Sequence, residues 1–424
     1  MMIYVNRPAK KVNTAECHFK KIRQNKSSIK PRNFKIFAER KQSQNMQENE
    51  TILDLYTDEE VQQGIQEVLQ HEKFMEGMKA FLPEQLFDHI INAKDSVRSI
   101  YDFQTKITQP FLKTIQKISI SELSVSGLEK LKKEDKYLFI SNHRDIVLDS
   151  AYLNLLLVEN QISTSQIAIG DNLMKNRTSE ILFRINKSFV VKREGTPREL
   201  YAHSIELSKY IQRMILEKVD SVWIAQRGGR AKDGNDRTQQ GLLKMISLSG
   251  GKMLKEHFQS LKVVPVSISY EFDPTALLKT QEFLNKKRDP DFKKSFGEDL
   301  NNMLLGIRGE KGKVHFNFGK PLNEELDVLD TAKNGKQKLE FLTKIIDQSI
   351  HTNYQLNPVN YVAYDLLNSS SEYSNKYSTE EKEKYTQFFQ SQIDQLVFDE
   401  QGEGASYLLA MYANPVVNAS QYEV

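Results

Sequence analysis

Cysteine is almost missing from this chain: its 424 residues contain one, Cys17. A single thiol excludes an intrachain disulfide framework and a cysteine zinc cluster, and it suits a reducing compartment. Long apolar runs are missing as well. Nothing approaches the roughly eighteen consecutive apolar residues of a membrane-spanning helix, and no charged start leads into an apolar stretch in the manner of a secretory signal. Neither charge is in excess. The 59 basic and 56 acidic residues leave a net charge of +3, which argues against a general nucleic-acid binder, so any basic site has to be local. The eight histidines are scattered without ligand spacing such as H-E-x-x-H, and no metal or other cofactor is expected.

The 39% of residues that are hydrophobic can supply a substantial core for two to three domain-sized units. Four regions differ in pattern. Residues 1–45 are dense in Lys and Arg, with no helical or strand period. They are expected to form a disordered extension, with Met46 as an alternative start. Residues 46–120 repeat apolar positions at helical spacing (Val61, Ile65, Val68, Leu69; Phe74, Met78, Phe81; Leu86, Phe87, Ile90, Ile91), with Pro83 and Pro110 as breaks, which predicts a helical subdomain. Residues 121–325 alternate strand-like runs, Tyr137–Ser141, Gln166–Ile169, Ser188–Val191, Ser221–Ala225, Val263–Tyr270 and Val314–Phe318, with helical patterns. Residues 326–424 return to helix, with the capping-box pattern Ser378-x-x-Glu381 opening one segment. The expected class is α/β: a mixed, largely parallel sheet flanked by helices, with an N-terminal helical subdomain and a C-terminal helical region.

Chemistry concentrates where the first of these strands ends. Tyr137-Leu138-Phe139-Ile140-Ser141 runs into Asn142-His143-Arg144-Asp145-Ile146-Val147-Leu148-Asp149, so a histidine and two acidic residues stand between a strand and a helix. Open α/β sheets bind ligands at the carboxyl ends of their strands, which makes His143 a candidate base. The competing reading is a histidine that only caps the next helix. His143-Arg144-Asp145 also spells the start of a kinase catalytic loop. A kinase needs an Asn five residues after that Asp, a glycine-rich loop before it and Asp-Phe-Gly after it. The fifth residue is Ser150, and both other motifs are missing, which excludes a kinase.

Two further strands end in basic or glycine-rich clusters: Lys192-Arg193 after Ser188–Val191, and Arg227-Gly228-Gly229-Arg230-Ala231-Lys232 after Ser221–Ala225. Paired glycines let backbone N–H groups approach an anion, and Arg fits phosphate oxygens two at a time. In order and character these blocks resemble the glycerolipid acyltransferases, especially the branch acting on glycerol-3-phosphate or dihydroxyacetone phosphate. The resemblance covers roughly Tyr137 to Pro321. It rests on Asn142-His143-Arg144, Gly170-Asp171-Asn172-Leu173, Phe189-Val190-Val191-Lys192-Arg193, Arg227-Gly228-Gly229-Arg230, Val263-Val264-Pro265-Val266-Ser267-Ile268-Ser269-Tyr270 and Phe318-Gly319-Lys320-Pro321-Leu322.

The resemblance implies transfer of an acyl group from a thioester, acyl-CoA or acyl-carrier protein, to a hydroxyl of glycerol-3-phosphate or a related acceptor. His143 would be the base and an Asp its partner. Arg193 and Arg230, helped by Lys192, Lys232, Arg144 and the Gly228-Gly229 backbone, would hold the phosphate. The chain departs from the family pattern twice. The residue five after His143 is Leu148, so the acidic partner is Asp149 with one inserted residue, or else Asp145. Arg227 stands where the family usually has Glu. Acylation of lysophosphatidate or another lysolipid is the alternative within enzymes, and a catalytically silent relative that binds anionic lipid or phosphate is the alternative outside them. The expected location is cytoplasmic, peripheral at the cytoplasmic membrane face, with the apolar stretch Tyr407–Tyr412 and the basic Lys286-Lys287-Arg288 as candidate contacts.

Overall fold

Apolar runs that do not alternate can bury both faces only in a sheet covered by helices on either side. The computed structural model puts Leu138–Ser141 and Val263–Tyr270 in such a sheet. It describes residues 53–174, 176–293 and 297–422, and the basic extension expected over residues 1–45 lies outside them. The strands are β1 (Ile120–Ser126), β2 (Leu138–Ser141), β3 (Ser165–Gly170), β4 (Ser188–Val191), β5 (Ser221–Ala225), β6 (Val263–Tyr270) and β7 (Gly312–Phe318). Their order across the sheet is β1-β7-β6-β2-β5-β3-β4. Only the β6–β7 pair is antiparallel; the others are parallel. The architecture is therefore α/β, a mixed and largely parallel sheet with helical regions before and after it.

One strand, β1, has no counterpart in the sequence reading. Its Glu122, Ser124 and Ser126 share a face with no apolar run, because it is an edge strand paired only with β7. Edge strands are commonly polar on the side no helix covers. Its other face is apolar, and Leu123 and Val125 pack on the core.

Side chains that alternate along each strand feed two cores. Phe139, Trp223, Val264 and Val266 face the helices Gln109–Ser119 and Leu148–Glu159 through Leu112, Ile115, Tyr152 and Leu153. Leu138, Ile140, Val222 and Ile224 face Pro197–Leu216, Gln240–Ile246, Leu254–Ser260 and Gly335–Thr352 on the other side. Each fully buried Leu, Ile or Phe contributes roughly 1.5–3 kcal/mol, and β2, in the middle of the sheet, is buried along its whole length. Its end is thus the most rigid platform the fold offers.

The helix Asp58–Gln70, capped by Thr57 and Glu60, sets Val61, Ile65 and Val68 against Ile181 and Ile185 of the helix Arg177–Ile185. At the other end of the chain, Pro358–Leu367, Thr379–Ile393 and Gln401–Ser420 share a core of Val359, Val362, Phe389, Leu408, Met411 and Tyr412 with Phe272 and Ala276. The stretch Tyr407–Tyr412 is therefore docked on the protein's own core, the reading of this stretch that competes with membrane contact. Ser378 and Glu381 form the capping box their spacing predicts.

Candidate active site

Because β2, β3, β4, β5 and β6 run the same way, the residues that follow them gather at one edge of the sheet. The chain leaving β2 goes to β3 on one side, and the chain leaving β5 crosses to β6 on the other. The end of β2 is thus the point at which connections diverge, where a crevice opens. His143 stands there, with its side chain 13% exposed.

The His143 Nδ1 lies 2.8 Å from Asp149 Oδ2. A carboxylate only accepts, so Nδ1 carries the hydrogen and Nε2 is left as the basic nitrogen. The ambiguity left by Leu148 is resolved in favour of Asp149. Its Oδ2 also accepts the backbone N–H groups of Arg144 at 2.6 Å and Asp145 at 3.0 Å. The loop curls around the carboxylate, and that curl takes up the inserted residue. Asp149 is fully buried in the first turn of the helix Leu148–Glu159, where the helix dipole favours a negative charge. Asp145 does something else: its Oδ1 accepts the N–H groups of Val147 at 2.8 Å and Leu148 at 2.7 Å, closing the start of that helix. Burial, reinforced by the Asp149 charge, pushes the Asp145 carboxyl up.

The basic clusters do not all go where the sequence suggested. Ser141 pairs with Ala225, so Arg227 and His143 each follow by two residues the end of one of two neighbouring strands. Gly228 donates its N–H to Gln239 Oε1 at 2.9 Å, and Gly229 adopts a φ of +79° in open space. Arg230 reaches toward the β6 side, donating to Thr275 Oγ1 at 3.0 Å and Asn302 Oδ1 at 3.4 Å. Arg193 lies on the β3–β4 side, its guanidinium over Gly170, where a Cβ would stand 2.6 Å from Nε. Its backbone N–H is held by Asp171 Oδ2 at 3.0 Å. Three inter-strand spacings separate β4 from β2, roughly 14 Å. Arg193 and Arg230 both follow strands on one side of β2, but the Arg230 side chain reaches residues beyond β6, on the other side, while Arg193 stays with β3 and β4. Lys192 follows β4 and is partly buried, while Lys232 pairs with Glu282. Arg144 is a correction. Its guanidinium is 7% exposed, 2.7 Å from Asp236 Oδ2 and 5.0 Å from the centre of the Tyr354 ring, so it turns into the protein and away from a bound phosphate.

Several residues around the site were not singled out as candidates in the sequence, although Asn142 and Tyr270 lie within its matching blocks. Tyr270, the last residue of β6, donates its hydroxyl to Asp149 Oδ1 at 3.2 Å, and burial, then the Asp149 charge, pushes that hydroxyl well above its usual range. The Trp223 ring stands edge-on to His143 at 6.0 Å while its Nε1 donates to Ser141 Oγ at 3.0 Å. Asn142 joins β2 to β6 by accepting the Ile268 N–H at 2.7 Å and donating to the Ile268 carbonyl at 2.9 Å. Only a polar tip at the end of an apolar strand hinted at Tyr270. Behind the site, Asp273 is buried with Lys279. Burial would raise its carboxyl, but Lys279 and Arg230 outweigh it and hold it down at about 2.

Residues 122–269 match the family model described as Acyltransferase. Among curated proteins, the chain is 23% identical over 261 residues to the glycerol-3-phosphate acyltransferase of Pseudomonas fluorescens (strain Pf0-1). It is 24% identical over 262 residues to that of Ectopseudomonas mendocina (strain ymp). Each alignment takes in 58% of this chain and 30% of the relative, so the chain spans less than a third of the length of the curated relatives it matches. Among solved structures, the 1-acyl-sn-glycerophosphate (LPA) acyltransferase PlsC from Thermotoga maritima shares 13% identity at a TM-score of 0.30, over 68% of this chain and 91% of that one.

Proposed function

We propose that the chain is a glycerolipid acyltransferase, as its match to the acyltransferase family model and to glycerol-3-phosphate acyltransferases supports, and that it moves a fatty acyl group from a thioester to a hydroxyl of glycerol-3-phosphate or a related phosphorylated acceptor. The observation that carries this reading is the His143–Asp149 pair at the end of β2, with the Gly228–Arg230 loop hanging from the neighbouring strand β5.

A glycerol hydroxyl is a poor nucleophile at neutral pH. His143 Nε2 would take its proton as the oxygen attacks the thioester carbon, while Asp149 holds the ring and balances the imidazolium. When the tetrahedral intermediate collapses, the C–S bond breaks and the imidazolium returns the proton to the departing thiolate. No acyl-enzyme is needed. Arg193 and Arg230 flank the base, and the guanidinium nearer the bound acceptor would hold its phosphate, at roughly 1.5–3 kcal/mol per charge-assisted hydrogen bond. That grip would orient the hydroxyl. Arg227, two residues past β5, would supply a further positive charge in place of the acidic residue usual in the family.

The test is product analysis with acyl-CoA and acyl-carrier-protein donors against glycerol-3-phosphate and lysophosphatidate. A monoacyl glycerol phosphate formed from glycerol-3-phosphate supports the proposal. A diacyl product from lysophosphatidate alone reassigns the acceptor. Binding of acceptor with no turnover from either donor makes the chain a silent relative.

A further inference from the structure

We propose that Asp236 is a positioning residue that holds the His143 loop and the Gly228–Arg230 loop in one fixed relation, with the C-terminal helices as its backing; this rests on the acyl-transfer reading above. Asp236 lies in the connection from β5 to the helix Gln240–Ile246, six residues after Arg230, so it belongs to the same loop as the glycines. Yet one of its carboxylate oxygens serves both residues that flank His143. Its Oδ2 is 3.4 Å from Asn142 Nδ2 and 2.7 Å from Arg144 Nη2. The base thus sits between two residues that the same carboxylate contacts. The same Arg144 donates its backbone N–H to Asp149. One residue thus ties the base's carboxylate partner to the phosphate loop.

The far side of Asp236 is fixed as well. Its carbonyl accepts from His351 Nε2, and the Tyr354 ring lies against the Arg144 guanidinium. Two residues earlier, Gly234 presses on the backbone of the helix Gln401–Ser420, where a Cβ would stand 2.1 Å from the Met411 carbonyl oxygen. Asn414 Nδ2 holds the Asp233 carbonyl at 2.6 Å. Asp236 and Arg144 are 3% and 7% exposed. A buried ion pair adds little stability over well-packed apolar residues, because removing both charges from water offsets their attraction. Attraction between opposite charges on two loops is a constraint that an apolar pair in the same space could not supply.

The experiment compares wild type, Asp236→Ala and the double variant R144M/D236L by amide hydrogen exchange, thermal melting and steady-state acyl transfer to glycerol-3-phosphate. The double variant keeps the site filled and is expected to melt near wild type, which guards against a fold lost in Asp236→Ala. In both variants the Arg144 and Asp145 amides should exchange at least about tenfold faster while β2 and β6 stay protected. The kcat should fall roughly 10-fold to 100-fold, as for a base misplaced by a fraction of its reach, with the thioester KM little changed. If the loop amides stay protected, or if a folded double variant keeps the wild-type kcat, the proposal is overturned. If the amides lose protection in the variants and wild type transfers no acyl group, the tie between the loops stands and the acyl-transfer reading falls.

Discussion

Nδ1 of His143 has its acceptor in Asp149, at 2.8 Å, and the two carboxylates of this loop are separated by what they bond. Asp149→Asn is expected to lower kcat on the order of 1,000-fold or more, because the amide no longer fixes the tautomer or balances the imidazolium. Asp145→Asn should cost far less, since an amide oxygen can still accept the Val147 and Leu148 N–H groups. Kinetics of the two variants check this, and the reverse order would reassign the partner. Asp145→Asn also has a stability signature. The folded carboxyl titrates above its unfolded value, so the native state favours the protonated acid. That contribution is complete below the unfolded pKa and lost as pH rises through the folded one. Melting temperatures should show the variant gaining on wild type as pH rises out of the acid range. The base was legible in the sequence because a histidine at the end of an apolar strand is uncommon. Its partner was narrowed to Asp149 or Asp145 by spacing, and choosing between them took a loop that curls around the Asp149 carboxylate. Arg144 misled for a related reason: a cation beside a base invites a phosphate, and only the fold shows Asp236 waiting behind it.

At the scale of elements, the site depends on how the connections after β5 and before β7 are pinned. Lys311 is fully buried just before β7 and donates to the carbonyls of Ile307 at 2.9 Å and Gly309 at 2.7 Å and to Ser119 Oγ at 3.1 Å. It closes the carboxyl ends of the helices Glu298–Arg308 and Gln109–Ser119, as basic residues do at helix ends. Burial lowers its amine from 10.5 to about 8, against the pull of Asp145 and Asp273. The folded protein then releases this proton before the unfolded chain does. Stability is reduced below about pH 8 and rises as pH climbs toward 10.5, by an amount on the order of 3 kcal/mol. Denaturant titrations across that window should show the rise in wild type and its loss in Lys311→Met. Gly234 supplies a second test. Its φ of +73° and the Met411 carbonyl beneath it leave no room for a Cβ, so Gly234→Ala should cost at least about 2 kcal/mol in denaturant unfolding. Unchanged stability would mean that the loop is not clamped on the C-terminal helix. Six of the seven strands of the sheet were legible because each carries a short apolar run, continuous as in Leu138–Ile140 or alternating as in Val314, Phe316 and Phe318. The seventh, β1, was not, because its uncovered face carries Glu122, Ser124 and Ser126, and pairing with β7 rather than hydropathy makes it a strand.

For the molecule as a whole, no helix among the described residues is long and apolar enough to cross a membrane, and the proposed acyl transfer would yield a lipid product, so surface contact with lipid is the mode to test. Lys287 pairs with Glu403 and Arg288 with Glu400, which sets the basic end of the helix Ala276–Arg288 beside a turn whose Val397 and Phe398 are 65% and 84% exposed. Sedimentation with anionic liposomes is expected to show binding that weakens with salt and falls on Phe398→Ser. Attachment that resists salt and needs detergent for release would contradict a peripheral mode. Which surface meets lipid was beyond the sequence, because the apolar stretch Tyr407–Tyr412 is spent on internal packing. All of this is secondary to the reaction proposed for the end of β2. The most direct measurement of that reaction is release of free thiol from an acyl thioester on addition of glycerol-3-phosphate, by wild type and by His143→Ala of equal melting temperature. Acceptor-dependent release that falls roughly 100-fold to 10,000-fold in the variant is the predicted result; release that is equal in the two proteins would contradict the assignment of His143 as the base.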